Sequence, residues 1–129
     1  MLYDKPMTHT FLAASPSTER FALRLFLMDL KMEVVGEAAD WSALVAQLPL
    51  CQTDMLLVDW NLLPNPVNLA LEKLRDTCLA QRVIVLIDHS SARLEAALAS
   101  GGFTFIIKDE APDLIIEHLR AAAAGLPPN

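Results

Sequence analysis

The sequence predicts a single α/β domain in which five strands alternate with five helices. Short apolar runs recur along 129 residues with centres roughly 20–30 residues apart, which is the period of strand–helix–strand units. Amphipathic stretches with capping and breaking residues separate these runs. The third run, DMLLVD, is continuously apolar rather than alternating, which is typical of a strand covered on both faces. Right-handed crossovers then give a parallel sheet between two helical layers.

The predicted strands lie at residues 9–14, 32–37, 54–59, 82–88 and 103–108. Each is short and is followed by turn-forming or capping residues. The second is a β-branched run that we expect Gly36 to stop. At a length of 129 residues the chain can bury one sizeable core around such a sheet.

The predicted helices lie at residues 16–31, 40–49, 67–76, 92–100 and 112–125. In the first, Phe21, Leu25 and Met28 recur at helical spacing, and Ser15 before Pro16 is a plausible start signal. Asp40 is the expected N-cap of the second helix.

Composition and charge exclude several classes of protein. The chain is 53% hydrophobic and 20% charged, as globular proteins are, and its net charge of −6 argues against nonspecific binding of nucleic acid. The start of the chain lacks the pattern of a signal peptide, and no apolar run is long enough to predict a membrane-spanning helix. Cys51 and Cys78 have neither metal-ligand nor redox-motif spacing, so we expect reduced, structural thiols in a cytoplasmic protein.

Two residues at the ends of predicted strands are of the types that take part in phosphoryl transfer. Parallel sheets of this class bind ligands outside the carboxyl ends of their strands, where Asp59 and Lys108 are expected. A carboxylate there can accept a phosphoryl group as a nucleophile, with a nearby lysine steadying the charge. The alternative is an ion pair that only neutralises two strand-end charges.

Four stretches give the chain a resemblance to the receiver domains of bacterial two-component response regulators, in particular those joined to a LuxR-type helix-turn-helix. They are EVVGEAAD (33–40), DMLLVDWNL (54–62), RVIVLIDH (82–89) and GGFTFIIKDEAPDLI (101–115). The resemblance implies a flavodoxin-like three-layer (βα)5 fold with strand order 2-1-3-4-5. It places Asp59 at the phosphoacceptor position, Lys108 at the conserved lysine and Phe105 at the aromatic switch residue. The receiver-like domain spans 9–125, between an extension (1–8) and a tail or linker start (126–129).

The chain departs from the family at the remaining site positions. The family has adjacent acidic residues after the first strand that hold Mg²⁺, and this chain has Ala14 and Ser15. The hydroxyl residue at the end of the fourth strand is replaced by Ile87, unless a register shift offers Ser90. Because Mg²⁺ depends on carboxylate and phosphate oxygens, we expect weak or absent binding and no other cofactor.

The sequence therefore predicts a signalling module rather than an enzyme, with impaired phosphorylation and a protein partner: a histidine kinase, another response regulator or an output domain. The family implies an interaction face on the fourth helix, fifth strand and fifth helix, which could also form a homodimer. We expect no direct contact with nucleic acid or membrane. Two alternatives remain: a working receiver with a rearranged site, and a small flavodoxin-like protein whose hydroxyl-rich loop SPSTER (15–20) binds a ligand.

Overall fold

The computed structural model describes residues 8–77, 83–88 and 103–124, and in them five parallel strands form one sheet. The strands are β1 (His9–Ala13), β2 (Glu33–Ala38), β3 (Met55–Asp59), β4 (Val83–Ile87) and β5 (Thr104–Ile107). Their order is β2-β1-β3-β4-β5, and every neighbouring pair is parallel. The predicted fold class and strand order are confirmed.

Four helices are described and lie on both faces of the sheet: α1 (Ser17–Asp29), α2 (Trp41–Gln47), α3 (Val67–Thr77) and, after the last strand, α4 (Pro112–Ala124). The α4 helix is the fifth of the predicted helices. The predicted fourth helix, at 92–100, lies outside the described residues, as do Cys78, Ser90 and Gly125. No helix among the described residues is both long and apolar enough to cross a bilayer.

The core consists of two apolar layers separated by the sheet. On one face, Leu23 and Leu27 of α1 pack with Leu119 of α4 against alternate residues of the strands. On the other face, side chains of α2 and α3, among them Leu44 and Leu74, pack against the remaining strand residues. The strands β3 and β4 are completely buried because helices cover both of their sides, and for β3 the continuous apolar run predicted this burial.

The buried face of α1 is not the one that the sequence pattern suggested. The helix buries Leu23 and Leu27, whereas Phe21, Leu25 and Met28 are 55%, 48% and 60% exposed. Apolar residues occur on all sides of this helix, so helical spacing alone fits two different faces. The packing of Leu23 and Leu27 over the sheet decides between them.

The start of α1 also differs from the prediction. Pro16 is the N-cap residue, and it provides no side-chain hydrogen bond to the first-turn N–H groups. Ser15 lies one residue before this N-cap and is exposed. The helix ends where Lys31 adopts a φ of 59°, and the Met32 N–H then donates to the Leu27 carbonyl at 2.9 Å.

Gly36 lies inside β2 and does not stop it, contrary to the sequence prediction. It pairs with Phe11 of β1, and the register of the two strands shifts just before this pair. A Cβ atom at Gly36 would lie 2.5 Å from Cε2 of Phe11. The glycine is therefore needed because the Phe11 ring occupies the space that a side chain would fill.

The second helix begins as the sequence predicted. The Asp40 side chain accepts a hydrogen bond from the Ala43 N–H at 2.8 Å, and it therefore caps α2. A short 3₁₀ turn, Leu48–Leu50, follows the helix and contains Pro49. Cys51, next along the chain, has a free thiol in agreement with the prediction.

Candidate functional site at the carboxyl edge of the sheet

Asp59 is the last residue of β3 and its side chain is completely buried. One carboxylate oxygen, Oδ1, accepts a hydrogen bond from the Asn61 N–H at 2.8 Å and so caps the 3₁₀ turn Trp60–Leu62. Burying a carboxylate costs free energy unless the charge is paired. The second oxygen, Oδ2, therefore needs a partner other than this backbone N–H group.

Lys108 supplies that compensation. It follows β5 directly, and its backbone N–H donates to the Ile87 carbonyl of β4 at 2.9 Å, which fixes the chain beside the neighbouring strand end. Its Nζ lies 2.6 Å from Oδ2 of Asp59. The structure thus brings together the two strand-end residues that the sequence singled out.

A third residue, Glu19, completes the cluster, and sequence reasoning did not find it. Its Oε1 lies 3.2 Å from Nζ of Lys108, whose side chain is only 18% exposed. The second oxygen, Oε2, is buried and has no hydrogen-bond partner among the described residues. We refer to Glu19, Asp59 and Lys108 as the Lys108 cluster.

The position of Glu19 in the chain explains why it was missed. It lies in the first turn of α1, where an acidic residue is expected simply because it favours the positive end of the helix dipole. Its position in the sequence could nevertheless have pointed to the site. Glu19 lies only six residues after Ala13, the last residue of β1, and the helix that follows a parallel strand begins at the same sheet edge as the strand ends.

The electrostatics of the cluster depend on burial and on the three charges. Burial raises the pKa of Glu19, and the Asp59 carboxylate raises it further, while Lys108 acts in the opposite direction. For Lys108, burial by itself lowers the pKa, but the Asp59 and Glu19 carboxylates together raise it above the ordinary lysine value. At neutral pH the ammonium group is therefore held charged between two carboxyl groups.

The positions after β1 carry no carboxylate. Ala14 is completely buried in the apolar layer beneath α1, and its N–H donates to the Ala38 carbonyl at 3.1 Å. Ser15 is exposed. The Ala14 carbonyl accepts a hydrogen bond from Nη1 of Arg20 at 3.0 Å. A guanidinium group therefore lies at the strand end where the family carries its acidic pair.

The two remaining predicted positions are apolar and lie on the α2–α3 side of the sheet. Ile87, at the end of β4, is buried in that core layer and offers no hydroxyl group. Phe105 of β5 is half-buried, and its ring centroid lies 6.5 Å from that of Trp60 at an interplanar angle of 49°. Since Trp60 directly follows Asp59, this pair of rings connects the site to β5.

The two carboxyl groups of the cluster are already paired with a cationic side chain. Both carboxyl groups of the cluster face the Lys108 ammonium, which lies where a cation would compensate them. Within the described ranges, no group of three or more His, Cys, Asp or Glu residues is arranged to hold a metal ion. Mg²⁺ prefers near-octahedral oxygen coordination, and the two side chains after β1 contribute no carboxylate to it.

Comparison with known proteins places this fold and site in a family context. No protein-family model matches the chain. The nitrate/nitrite response regulator protein NarP of Escherichia coli (strain K12) is 29% identical over 111 residues, which cover 85% of this chain and 52% of NarP. The nitrate/nitrite response regulator protein NarL of the same organism is 28% identical over 127 residues, which cover 97% of this chain and 58% of NarL.

The fold has counterparts among solved structures. The receiver domain of the putative response regulator NarL from Mycobacterium tuberculosis aligns over 94% of this chain and 99% of its own, with a TM-score of 0.76 and 20% identity. Such identity supports the likeness of fold alone.

The sheet order, the strand-end aspartate and lysine, and the similarity to NarP and NarL together support the likeness of the chain to receiver domains of two-component response regulators. The resemblance seen in the sequence is thereby confirmed. The chain spans only 52% and 58% of the lengths of NarP and NarL.

Proposed function

We propose that this receiver domain is impaired in phosphorylation and acts by binding a protein partner in one fixed state. The observation that carries the proposal is the engagement of Lys108 by two carboxyl groups, at 2.6 Å from Asp59 and 3.2 Å from Glu19. Glu19 provides Lys108 with an oxyanion from inside the chain. A phosphoryl group on Asp59 would have to compete with it.

The charge balance of the site supports the same proposal. Two carboxylates and one ammonium group give the Lys108 cluster a net negative charge when all three are ionised, and this repels an anionic phosphoryl donor. Phosphoryl transfer relies on metal ions to neutralise the transferring group. Ala14 and Ser15 provide no carboxylate to hold such an ion, and Ile87 provides no hydroxyl group to the phosphoryl oxygens.

The proposed output is protein binding rather than catalysis, and the candidate partners are a histidine kinase, another response regulator or an output domain. Phe105 on β5, with the adjacent α4, is the proposed contact region, because its ring packs on Trp60 beside the site. A chain with a net charge of −6 is poorly suited to contact nucleic acid directly. We assign it to the cytoplasm, where a kinase partner would reach it.

Phosphorylation is tested by incubating the chain with acetyl phosphate and Mg²⁺ and measuring its intact mass. We expect no phosphoryl adduct. The matched variant Ala14→Asp/Ser15→Asp/Ile87→Thr returns the missing groups, and an adduct on this variant alone would identify their loss as the cause. An adduct on the wild type that disappears in Asp59→Asn would overturn the proposal in favour of a working receiver with a rearranged site.

Partner binding is tested with the histidine kinases and output domains encoded beside the chain, by calorimetry with purified proteins. If the domain acts in a fixed state, Asp59→Asn should change the affinity less than about threefold, whereas Phe105→Ala should weaken it at least tenfold. Thr104→Ala, at the exposed neighbouring position of β5, is the matched control. Binding that is unaffected by Phe105→Ala would refute the assigned contact region.

A further inference from the structure

The Glu19 carboxyl group has one feature that its ion pair with Lys108 does not explain. Its Oε2 atom is buried and has no hydrogen-bond partner among the described residues, although the other oxygen, Oε1, lies 3.2 Å from Nζ of Lys108. An ionised carboxylate with a buried, unpaired oxygen is costly, because that oxygen has lost its water without gaining a donor. A neutral carboxyl group avoids most of this cost. The geometry therefore favours a protonated form of Glu19.

The Lys108 cluster also contains one cation for two carboxyl groups. The ammonium nitrogen lies 2.6 Å from Oδ2 of Asp59 and 3.2 Å from Oε1 of Glu19, so both carboxyl groups contact the same atom. Two carboxyl groups that share a site do not both ionise easily, since one charge raises the pKa of the other group. For Glu19, burial raises the pKa and the Asp59 carboxylate raises it further, while Lys108 offsets these effects only in part. The pair is therefore a binding site for one proton.

The other charged groups near this edge of the sheet are engaged elsewhere. Nη1 of Arg20, next along α1, donates to a backbone carbonyl after β1 at 3.0 Å, and its Nε lies 3.4 Å from Oε1 of Glu37. Two further carboxyl groups follow β4 and β5, and each has an interaction of its own: Asp88 and Asp109. The charged groups that set the ionisation of Glu19 in the described part of the chain are therefore Asp59 and Lys108.

A short chain of contacts connects this proton site to the aromatic rings beside it. Oδ1 of Asp59 accepts a hydrogen bond from the Asn61 N–H at 2.8 Å and so caps the 3₁₀ turn that follows β3. That turn carries Trp60, whose ring centroid lies 6.5 Å from that of Phe105. When the cluster is protonated, the ammonium group has one carboxylate to pair with instead of two. The charge that acts on the cap, and with it the setting of the turn, therefore changes with the proton.

We propose that the Lys108 cluster is a proton-operated switch. Its two carboxyl groups take up one proton in acidic solution, this proton cancels the net negative charge of the cluster, and the turn after β3 transmits the change to the Trp60 and Phe105 rings. The inference deepens the proposed function and rests on it, because a site that accepts no phosphoryl group keeps these three side chains together. The domain stays in one state with respect to phosphorylation, and a proton becomes its input.

Nuclear magnetic resonance titration of the 129-residue chain tests the proton step. The carbon-13 shift of Glu19 Cδ reports its protonation, and the Asn61 N–H shift reports the charge at Asp59. We expect both to follow one step with a midpoint above pH 4.5, and the Asn61 step to be lost in Glu19→Gln. Glu72→Gln, which changes an exposed glutamate of α3, is the matched control and should leave the step unchanged. A Glu19 Cδ midpoint at or below pH 4.5, or an Asn61 step that persists in Glu19→Gln, overturns the proposal.

Fluorescence of Trp60 then tests the transmission to the rings. The Trp41→Phe background removes the other tryptophan of the chain, so the emission comes from Trp60 alone. We expect the emission to change with the same midpoint as the Glu19 Cδ shift, and the change to be lost when Glu19→Gln is added but kept when Glu72→Gln is added. Emission that stays constant across the proton step refutes the transmission.

Both titrations contain no phosphoryl donor, so they test the switch separately from the proposed function. An absent proton step overturns the switch and leaves the impaired phosphorylation in place. A phosphoryl adduct on the wild type in the acetyl phosphate experiment overturns the proposed function, whereas the proton step is measured on the unmodified chain.

Discussion

Replacing Lys108 with methionine keeps an unbranched side chain but removes the ammonium group that lies 2.6 Å from Oδ2 of Asp59. In the variant, the Asn61 N–H is the one donor that the completely buried Asp59 carboxylate retains among the described residues. It also faces the Glu19 carboxyl group without the cation that separates the two charges in the wild type. We therefore expect a substantial loss of stability at neutral pH.

The size of the expected stability loss follows from the burial of the Asp59–Lys108 ion pair. Removing one partner of a fully buried ion pair costs about 3–5 kcal/mol, and an exposed pair is worth about 0–1 kcal/mol. Because Asp59 is completely buried while Lys108 is 18% exposed, the pair lies close to the buried limit. We expect Lys108→Met to reduce the free energy of unfolding by about 2–4 kcal/mol at pH 7.

Urea denaturation of the wild type, Lys108→Met, Asp59→Asn and the double variant forms a double-mutant cycle. We expect a coupling energy of about 1–3 kcal/mol, since Asp59→Asn removes the charge that the single variant leaves unpaired. Lys73→Met, which changes an exposed lysine of α3, is the control and should shift stability by less than about 0.5 kcal/mol. A Lys108→Met midpoint equal to that of the control would refute the structural role assigned to the pair.

The pH dependence gives a second measurement on the same variant. The pKa of Lys108 is raised in the folded state above its ordinary value of 10.5. Its contribution to stability is therefore complete below that value and is lost as the pH rises through the folded-state pKa. The wild type should lose stability in this alkaline range, and the part of the loss due to Lys108 should be missing in Lys108→Met.

Three further predictions concern Glu19, Gly36 and Asp40. Burial, and next the Asp59 carboxylate, raise the pKa of Glu19 above 4.5. The contribution of Glu19 to the stability of the fold is therefore present below that pH and is lost as the pH rises through the folded-state pKa. Glutamine does not ionise, and in urea denaturation Glu19→Gln should gain stability relative to the wild type as the pH rises above 4.5; a constant difference would contradict this. Gly36→Ala should reduce the free energy of unfolding by about 1–3 kcal/mol, because the new Cβ would overlap the Phe11 ring, and an unchanged thermal midpoint would show that the ring can move aside. Asp40→Ala removes the cap of α2 and should cost about 1 kcal/mol in thermal or chemical denaturation, whereas Asp40→Asn, which keeps an acceptor, should cost less.

The sequence by itself determined the class of fold and two members of the site. The continuous apolar run at 54–59 predicted a strand covered on both faces, and β3 is indeed buried along its whole length. Strands that run in one direction end at one sheet edge, so residues at strand ends could be grouped from the sequence alone. This is why Asp59 and Lys108, 49 positions apart, could be paired in advance.

The tertiary structure decided three things that local patterns could not. It buried Leu23 and Leu27 rather than Phe21 and Leu25, because α1 is apolar all round and only its packing on the sheet selects a face. It kept Gly36 within β2, since the requirement for glycine comes from a ring on another strand. It also brought Glu19 to Lys108, 89 positions away, through the placement of α1 over the sheet edge. Periodicity and capping report on neighbours along the chain, whereas each of these outcomes depends on atoms that only folding brings together.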